Sequence, residues 1–387
     1  MVKLKRSINL FLLICYGVGT ILGAGIYVLI GKVAYFSGMA TPISFLMAAL
    51  IAGFTGLSYA ELSSRYPKSA GEAVYVLKGW KLKWLSGVVG WMIVFTGVVS
   101  AATIANGFVG YLQIFVPIEP WVAITLLIVS LGTLAIWGIS ESIWVAAIIT
   151  IIEVFGLLLV IWDSGWHLNT LPDRWVEFIP SSFGGVFTGT FLAFYAYIGF
   201  EDMVNLAEEV KNPRKTLPKG ILWAILISTI FYVLISIIAV LAIPIEQLTT
   251  SNAPLVLLVK HENLLGIIAI FAVVNGALVQ IIMASRIIYG MGSLGLVFKQ
   301  FSSVHSKRQT PILATLFITL LVLLYALLFP LVVLAQITSF VILIVFALVN
   351  SSLILVKINN HSIKGSISFP LFVPVIGTIL CLLLLIY

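Results

Sequence analysis

The chain is predicted to be an all-α polytopic membrane protein, built as two inverted five-helix repeats with one extra helix at its C-terminal end. Three observations carry that prediction. Over 387 residues the composition is 61% hydrophobic and only 9% charged, with a mean hydropathy of +1.18. A soluble domain carries roughly a quarter charged residues. Apolar runs long enough to cross a hydrocarbon core of about 30 Å recur from end to end. Two of them, the first and the sixth, hold helix-breaking composition near their middles.

The apolar runs give about eleven spans in one transmembrane domain, 1–387. Repeat one covers about 8–162, with spans at 8–31, 41–64, 84–112, 120–138 and 142–162. Repeat two covers about 183–356, with spans at 183–207, 219–243, 264–292, 310–329 and 332–356. The extra helix is 369–387. Span 1 contains Gly17, Gly19, Gly23 and Gly25, and glycine is the weakest helix former short of proline. Two readings fit. The glycines let neighbouring helices approach closely, or the helix is broken there and its freed backbone groups face a ligand. The loop at 65–83 mixes Arg65, Lys68 and Lys78 with Val74, Tyr75, Val76 and Leu77, as an amphipathic helix at the inner membrane surface does. Span 6 reads Phe194-Tyr195-Ala196-Tyr197-Ile198-Gly199-Phe200-Glu201-Asp202, with a mid-span glycine followed by two carboxylates. Spans 1 and 6 are five apart, and an odd interval makes two five-helix units enter the membrane from opposite sides. Two broken helices near the midplane are then expected.

Charge sets the orientation. With the N-terminus cytoplasmic, 18 of the 21 Lys and Arg fall in inner loops, leaving Lys32, Arg174 and Lys260 outside. The positive-inside rule therefore places the N-terminus in the cytoplasm and, after eleven spans, the C-terminus outside. This distribution, rather than nucleic-acid binding, accounts for the net charge of +7. The first span lacks a small-residue cleavage site and is expected to remain as a mature helix. Cys15 and Cys381 suggest no disulfide framework, and His167, His261, His305 and His361 have no metal-ligand spacing. No cofactor is implied.

The string Gly17-x-Gly19-x-x-x-Gly23-Ala24-Gly25-Ile26-Tyr27 resembles the first-helix signature of the amino acid–polyamine–organocation (APC) family of amino-acid permeases. The stretch Tyr59-Ala60-Glu61-Leu62-Ser63-Ser64-Arg65-Tyr66-Pro67-Lys68-Ser69-Ala70-Gly71 is similar to the inner end of that family's second helix. Span 6 with Glu208-Glu209-Val210-Lys211-Asn212-Pro213, and Ala284-Ser285-Arg286 in span 8, look like the cationic amino acid transporter branch. The resemblance implies the leucine-transporter-type fold and a secondary transporter working by alternating access. It implies a substrate carboxylate held at Leu22, Gly23, Ala24 and Gly25 of an unwound helix 1. The substrate ammonium would be held by carbonyls of Tyr195, Ala196, Tyr197 and Ile198, with Tyr195 closing over it. Glu201 matches an acidic position of relatives, including proton-linked exchangers. A salt bridge of the inner gate is its other reading.

Glu153 departs from that pattern, because the branch carries a lysine at the matching place. It stands alone in the apolar run of span 5, and an intramembrane ionisable residue is a functional candidate by default. Three readings stay open: a proton carrier, since burial disfavours the charged form; a cation ligand together with span 1 carbonyls and a span 8 hydroxyl such as Ser285; or a neutral, hydrogen-bonded structural group.

The expected function is amino-acid transport across the cell membrane with protons as the coupling ion. Exchange of cationic amino acids or polyamines is the alternative, and a non-transporting amino-acid sensor a remoter one. An enzyme is disfavoured, since no histidine cluster, nucleophile elbow or phosphate loop occurs. No filter motif of a channel is visible either. Expected partners are the small-molecule substrate, protons and the lipid bilayer.

Overall fold

The computed structural model describes residues 6, 8–68, 71–137, 142–180, 183–293, 295–305, 310–359 and 366–386. Lys3, Lys5, Lys307, Arg308 and Lys364 of the basic loops, Ser69 and Ala70 of the second motif, and His361 lie outside the described residues. The helices are α1 Leu10–Ser37, α2 Thr41–Arg65, α3 Gly71–Trp80, α4 Lys83–Leu112, α5 Pro120–Trp137, α6 Ser142–Ser164, α7 Leu171–Arg174, α8 Phe183–Tyr195, α9 Pro213–Ala242, α10 Ile245–Thr250, α11 Glu262–Ser293, α12 Ile312–Leu328, α13 Leu331–Ile358 and α14 Phe372–Ile386. Among the described residues the β-structure is one isolated parallel bridge, Ile8 with Val210.

Each of the eleven expected ranges contains an apolar helix. Six stretches are long and apolar enough to cross a membrane: Leu10–Arg65, which joins α1 and α2 through a 3₁₀ turn, Lys83–Leu112, Ala146–Phe178, Pro213–Ala242, Glu262–Gly292 and Leu331–Ile358. α5, α8, α12 and α14 are shorter apolar helices. Large apolar side chains such as Leu126, Ile148, Phe155, Ile230, Leu320 and Leu383 face outward. That much exposed apolar surface is out of place in water and at home in lipid. The chain is therefore an all-helical, multi-pass membrane protein.

Local chemistry fixes the helix ends. The Asn9 side chain accepts a bond from Leu12 N at 2.9 Å, an N-cap that starts α1. Pro213 opens α9 in the first turn, where its missing N–H is not needed. α1 lies at the centre, packed against α6, α8, α9 and α11. α2 packs on α8 and α9, α4 on α11 and α13, and α12 on α4, α5 and α11. The loop expected to be amphipathic contains α3, which buries Glu72, Ala73, Tyr75 and Val76 and exposes Lys78 and Trp80.

The expected break in span 1 is not present: α1 is one regular helix through all four glycines. Tertiary packing supplies the reason. A Cβ at Gly17 would meet Met203 and Ala224, at Gly19 it would meet Thr150, and at Gly23 it would lie 3.3 Å from the Ala272 carbonyl oxygen. The glycine penalty, roughly 1 kcal/mol each, is offset by these close approaches. Breaking the helix in apolar surroundings would cost several kcal/mol per unmade bond.

The C-terminal end of α2 is clasped to α13. Glu61, fully buried, accepts from Arg65 at 2.5 Å and from Lys357 Nζ at 2.8 Å. The Phe369 N–H donates to the same carboxylate at 2.8 Å, so the segment leading into α14 is fixed too.

Candidate functional site

Span 6 is broken. α8 ends at Tyr195, and the chain then tightens: Ala196 N donates to Ala193 O at 3.0 Å, Tyr197 N to Phe194 O at 3.0 Å and Ile198 N to Tyr195 O at 3.1 Å. Gly199 follows with φ +131°, a conformation open in practice to glycine alone. Its N–H, lost to the helix, donates to Glu201 Oε2 at 2.8 Å. The chain resumes as a 3₁₀ helix over Glu201–Leu206. All of these groups are buried. Glu201 thus caps the break from within, satisfying a donor that the apolar surroundings could not.

The break faces α1. A Cβ at Gly25 would lie 2.8 Å from Ala196 Cβ, so only glycine permits the two segments to touch here. The Tyr232 hydroxyl on α9 joins them, reaching the Ala196 carbonyl at 2.7 Å and the Ile21 carbonyl of α1. Tyr195 turns toward α4, its hydroxyl 3.0 Å from Ser100 Oγ. Leu22 is fully buried, and Tyr197 stacks edge-on against Tyr232 with ring centroids 5.0 Å apart. The two expected half-sites therefore adjoin at Gly25 and Ala196. Leu22 and Gly23 lie one turn away, with Gly23 facing α11. The Ala24 side chain lies outside the described residues.

Glu153 on α6 is fully buried, and neither carboxyl oxygen has a hydrogen-bond partner among the described residues. The polar side chain that faces it is Asn275 of α11. Tyr27 of α1 donates to the Glu153 backbone carbonyl at 2.9 Å, and Asn275 lies 3.5 Å from where a Gly19 Cβ would be. Glu153 thus stands where α1, α6 and α11 meet. Ser285 does not serve as its partner. It lies ten residues from Asn275 on the regular helix α11, about 15 Å along the axis, and its hydroxyl donates to Ile282 O at 2.7 Å.

Sequence reasoning missed Asn275, and also Gln280, whose amide donates to Asp202 Oδ2 at 2.7 Å. Both are polar residues inside the apolar run 264–292, and that was the available signal. Ser100 and Tyr232 gave none, because single hydroxyls are common in such helices.

A capped break in one apolar helix, pressed on a glycine-rich neighbour beside a buried carboxyl, is a feature that recurs in membrane transporters. The chain belongs to the amino acid permease family, whose model matches residues 8–387. It is 32% identical to the branched-chain amino acid permease BcaP of Bacillus subtilis, over 99% of this chain and 88% of that protein. It is 30% identical to the mitochondrial cationic amino acid transporter 3 of Arabidopsis thaliana, over 92% of this chain and 63% of the relative, so it spans under two thirds of that protein. The methylthioribose transporter of B. subtilis is 28% identical, over 97% of this chain and 86% of that protein.

Proposed function

We propose that this chain is a secondary transporter that moves amino acids across the cell membrane by alternating access, coupled to protons through Glu153. The observation that carries the reading is the Gly199 break pressed against Gly25 of α1, with the unpartnered Glu153 carboxyl buried where α1 meets α6 and α11.

The helix neighbours support an inverted-repeat layout. Exchange each helix of the first five spans for the one five spans later: α1 for α8, α2 for α9, α4 for α11, α5 for α12, α6 for α13. The contact between α1 and α9 becomes that between α8 and α2. The contact of α4 with α13 becomes that of α11 with α6, and the contact of α4 with α12 becomes that of α11 with α5. All of these occur. On this layout repeat one is 8–162, repeat two is 183–356 and the extra helix is 369–387, in one domain of eleven crossings. The loop charges orient it with the N-terminus inside and the C-terminus outside.

The substrate ammonium is assigned to carbonyls of Tyr195, Ala196, Tyr197 and Ile198. The carboxylate is assigned to Leu22, Gly23, Ala24 and Gly25, with Tyr195 above both. Since α1 is a continuous helix, its N–H groups at 22–25 are engaged, and carboxylate binding requires α1 to open there. Glycine lowers the cost of that opening. Glu153 takes the proton-carrier role because a carboxyl without a partner in apolar surroundings is disfavoured as an anion. Glu201 is first a cap on the break and second a coupling group, and Ser285 drops out of the ion site.

The test is uptake of a panel of neutral, branched-chain, cationic and acidic amino acids, polyamines and methylthioribose into proteoliposomes, with and without an inward proton gradient. Accumulation of an amino acid only with the gradient is expected. Gradient-independent exchange of cationic amino acids would favour an exchanger, and transport of none of the panel would overturn the reading.

A further inference from the structure

A second set of buried acids lies away from Glu153. Glu72 of α3, with Glu201 and Asp202 of the 3₁₀ segment, are each at most 4% exposed. The Asp202 carboxylate acts electrostatically on Glu72, and both act on Glu201. The Asn205 side chain spans the two segments, accepting from Gly71 N at 3.3 Å beside the Glu72 carboxyl. The groups around the cluster carry little positive charge. Tyr16 of α1, Tyr59 of α2, Tyr75 of α3 and Gln280 of α11 face it, and Arg286 of α11 is engaged with Glu209 at 3.5 Å.

An independent feature points to a ligand. Glu72 Oε1 and the hydroxyls of Tyr59 and Tyr75 are buried with no hydrogen-bond partner among the described residues. Both tyrosines have Glu72 as their first charged neighbour. Three carboxylates cannot all stay ionised in such surroundings without a counter-charge. No group of three such side chains among the described residues is arranged to hold a metal ion. What remains is the proton.

We propose that Glu72, Glu201 and Asp202 form a proton-binding site separate from Glu153, shared between α3 and the broken end of span 6. The proton comes from water on the side where α3 lies and returns to it. Glu72 is the member that exchanges it, because α3 is a short helix held by contacts that domain motion can break: Ser86 to the Ala73 carbonyl at 2.8 Å, and Gly79 against Ser352 of α13. Burial pushes the Glu72 carboxyl up to about 8 against the pull of its own backbone N–H, which puts its exchange in the physiological range.

The site is tested by pH-difference infrared spectroscopy on the purified full chain in lipid, a readout that needs no transport and so stands or falls apart from the assigned function. A protonated-carboxyl band that disappears as pH rises through about 8 is expected in the wild type and lost in Glu72→Gln. Asp202→Asn, which removes the neighbouring negative charge, is expected to move the midpoint to lower pH. Glu72→Asp keeps a titrating band and so separates loss of the carboxyl from loss of fold. The same band and midpoint in wild type and Glu72→Gln would overturn the proposal, as would a Glu72 already ionised well below neutral pH.

Discussion

At Gly199 the backbone, not a side chain, demands the residue. A positive φ of 131° and the approach of Thr20 to 3.0 Å of the absent Cβ leave an alanine there both strained and crowded. Gly199→Ala is expected to destabilise the protein by about 1–3 kcal/mol, read as a lower midpoint in thermal unfolding. An unchanged midpoint would mean that the break relaxes freely. Glu72 makes a pH prediction. Its carboxyl is raised from 4.5 to about 8 by burial, so the folded state binds more protons than the unfolded one. Its contribution to stability is full below about 4.5 and is lost as pH rises through about 8. Glu72→Gln should flatten that part of the stability profile. At this scale the sequence spoke through contrast: Glu153, Glu201 and Gly199 stand out from apolar neighbours. Asn275 shares the contrast, yet its place facing Glu153 depends on an approach across more than a hundred residues, which spacing cannot reveal.

The helices themselves were legible, because an apolar run of this length has few alternatives in lipid. The break in span 6 was legible too, since a glycine followed by two acids is poor helix material. The continuity of α1 was not. Four glycines argue for a break until one knows that Met203, Thr150, Ala272 and Ala196 press on them from other helices. Tyr232 holds α1 to the broken segment. Tyr232→Phe leaves buried carbonyls without their donor and should cost about 1–3 kcal/mol, measurable by chemical or thermal unfolding in detergent. The Glu61 clasp is a harsher case, because Glu61→Ala removes the carboxylate that buried Arg65 and half-buried Lys357 share. A loss of about 3–5 kcal/mol is expected, partly recovered when Lys357 is also replaced by Met. Full additivity of the two substitutions would show that the pair is not coupled.

At the scale of the molecule, α1 and α8 pack against each other, one continuous and the other ending at the span 6 break. The proposed function requires α1 to open at its glycines when substrate arrives, whereas the span 6 break is already present and capped by Glu201. Substrate identity stayed outside the sequence because the proposed half-sites at 22–25 and 195–198 rely on backbone groups, which carry no side-chain signature. The account turns on Glu153, the carboxyl with no partner at the meeting of α1, α6 and α11. Its most direct test is proton-gradient-driven uptake in proteoliposomes by wild type and Glu153→Gln, with gradient-free exchange measured alongside. The account predicts that the substitution abolishes accumulation while leaving exchange in place. Accumulation undiminished in Glu153→Gln would contradict it and return Glu153 to a structural role.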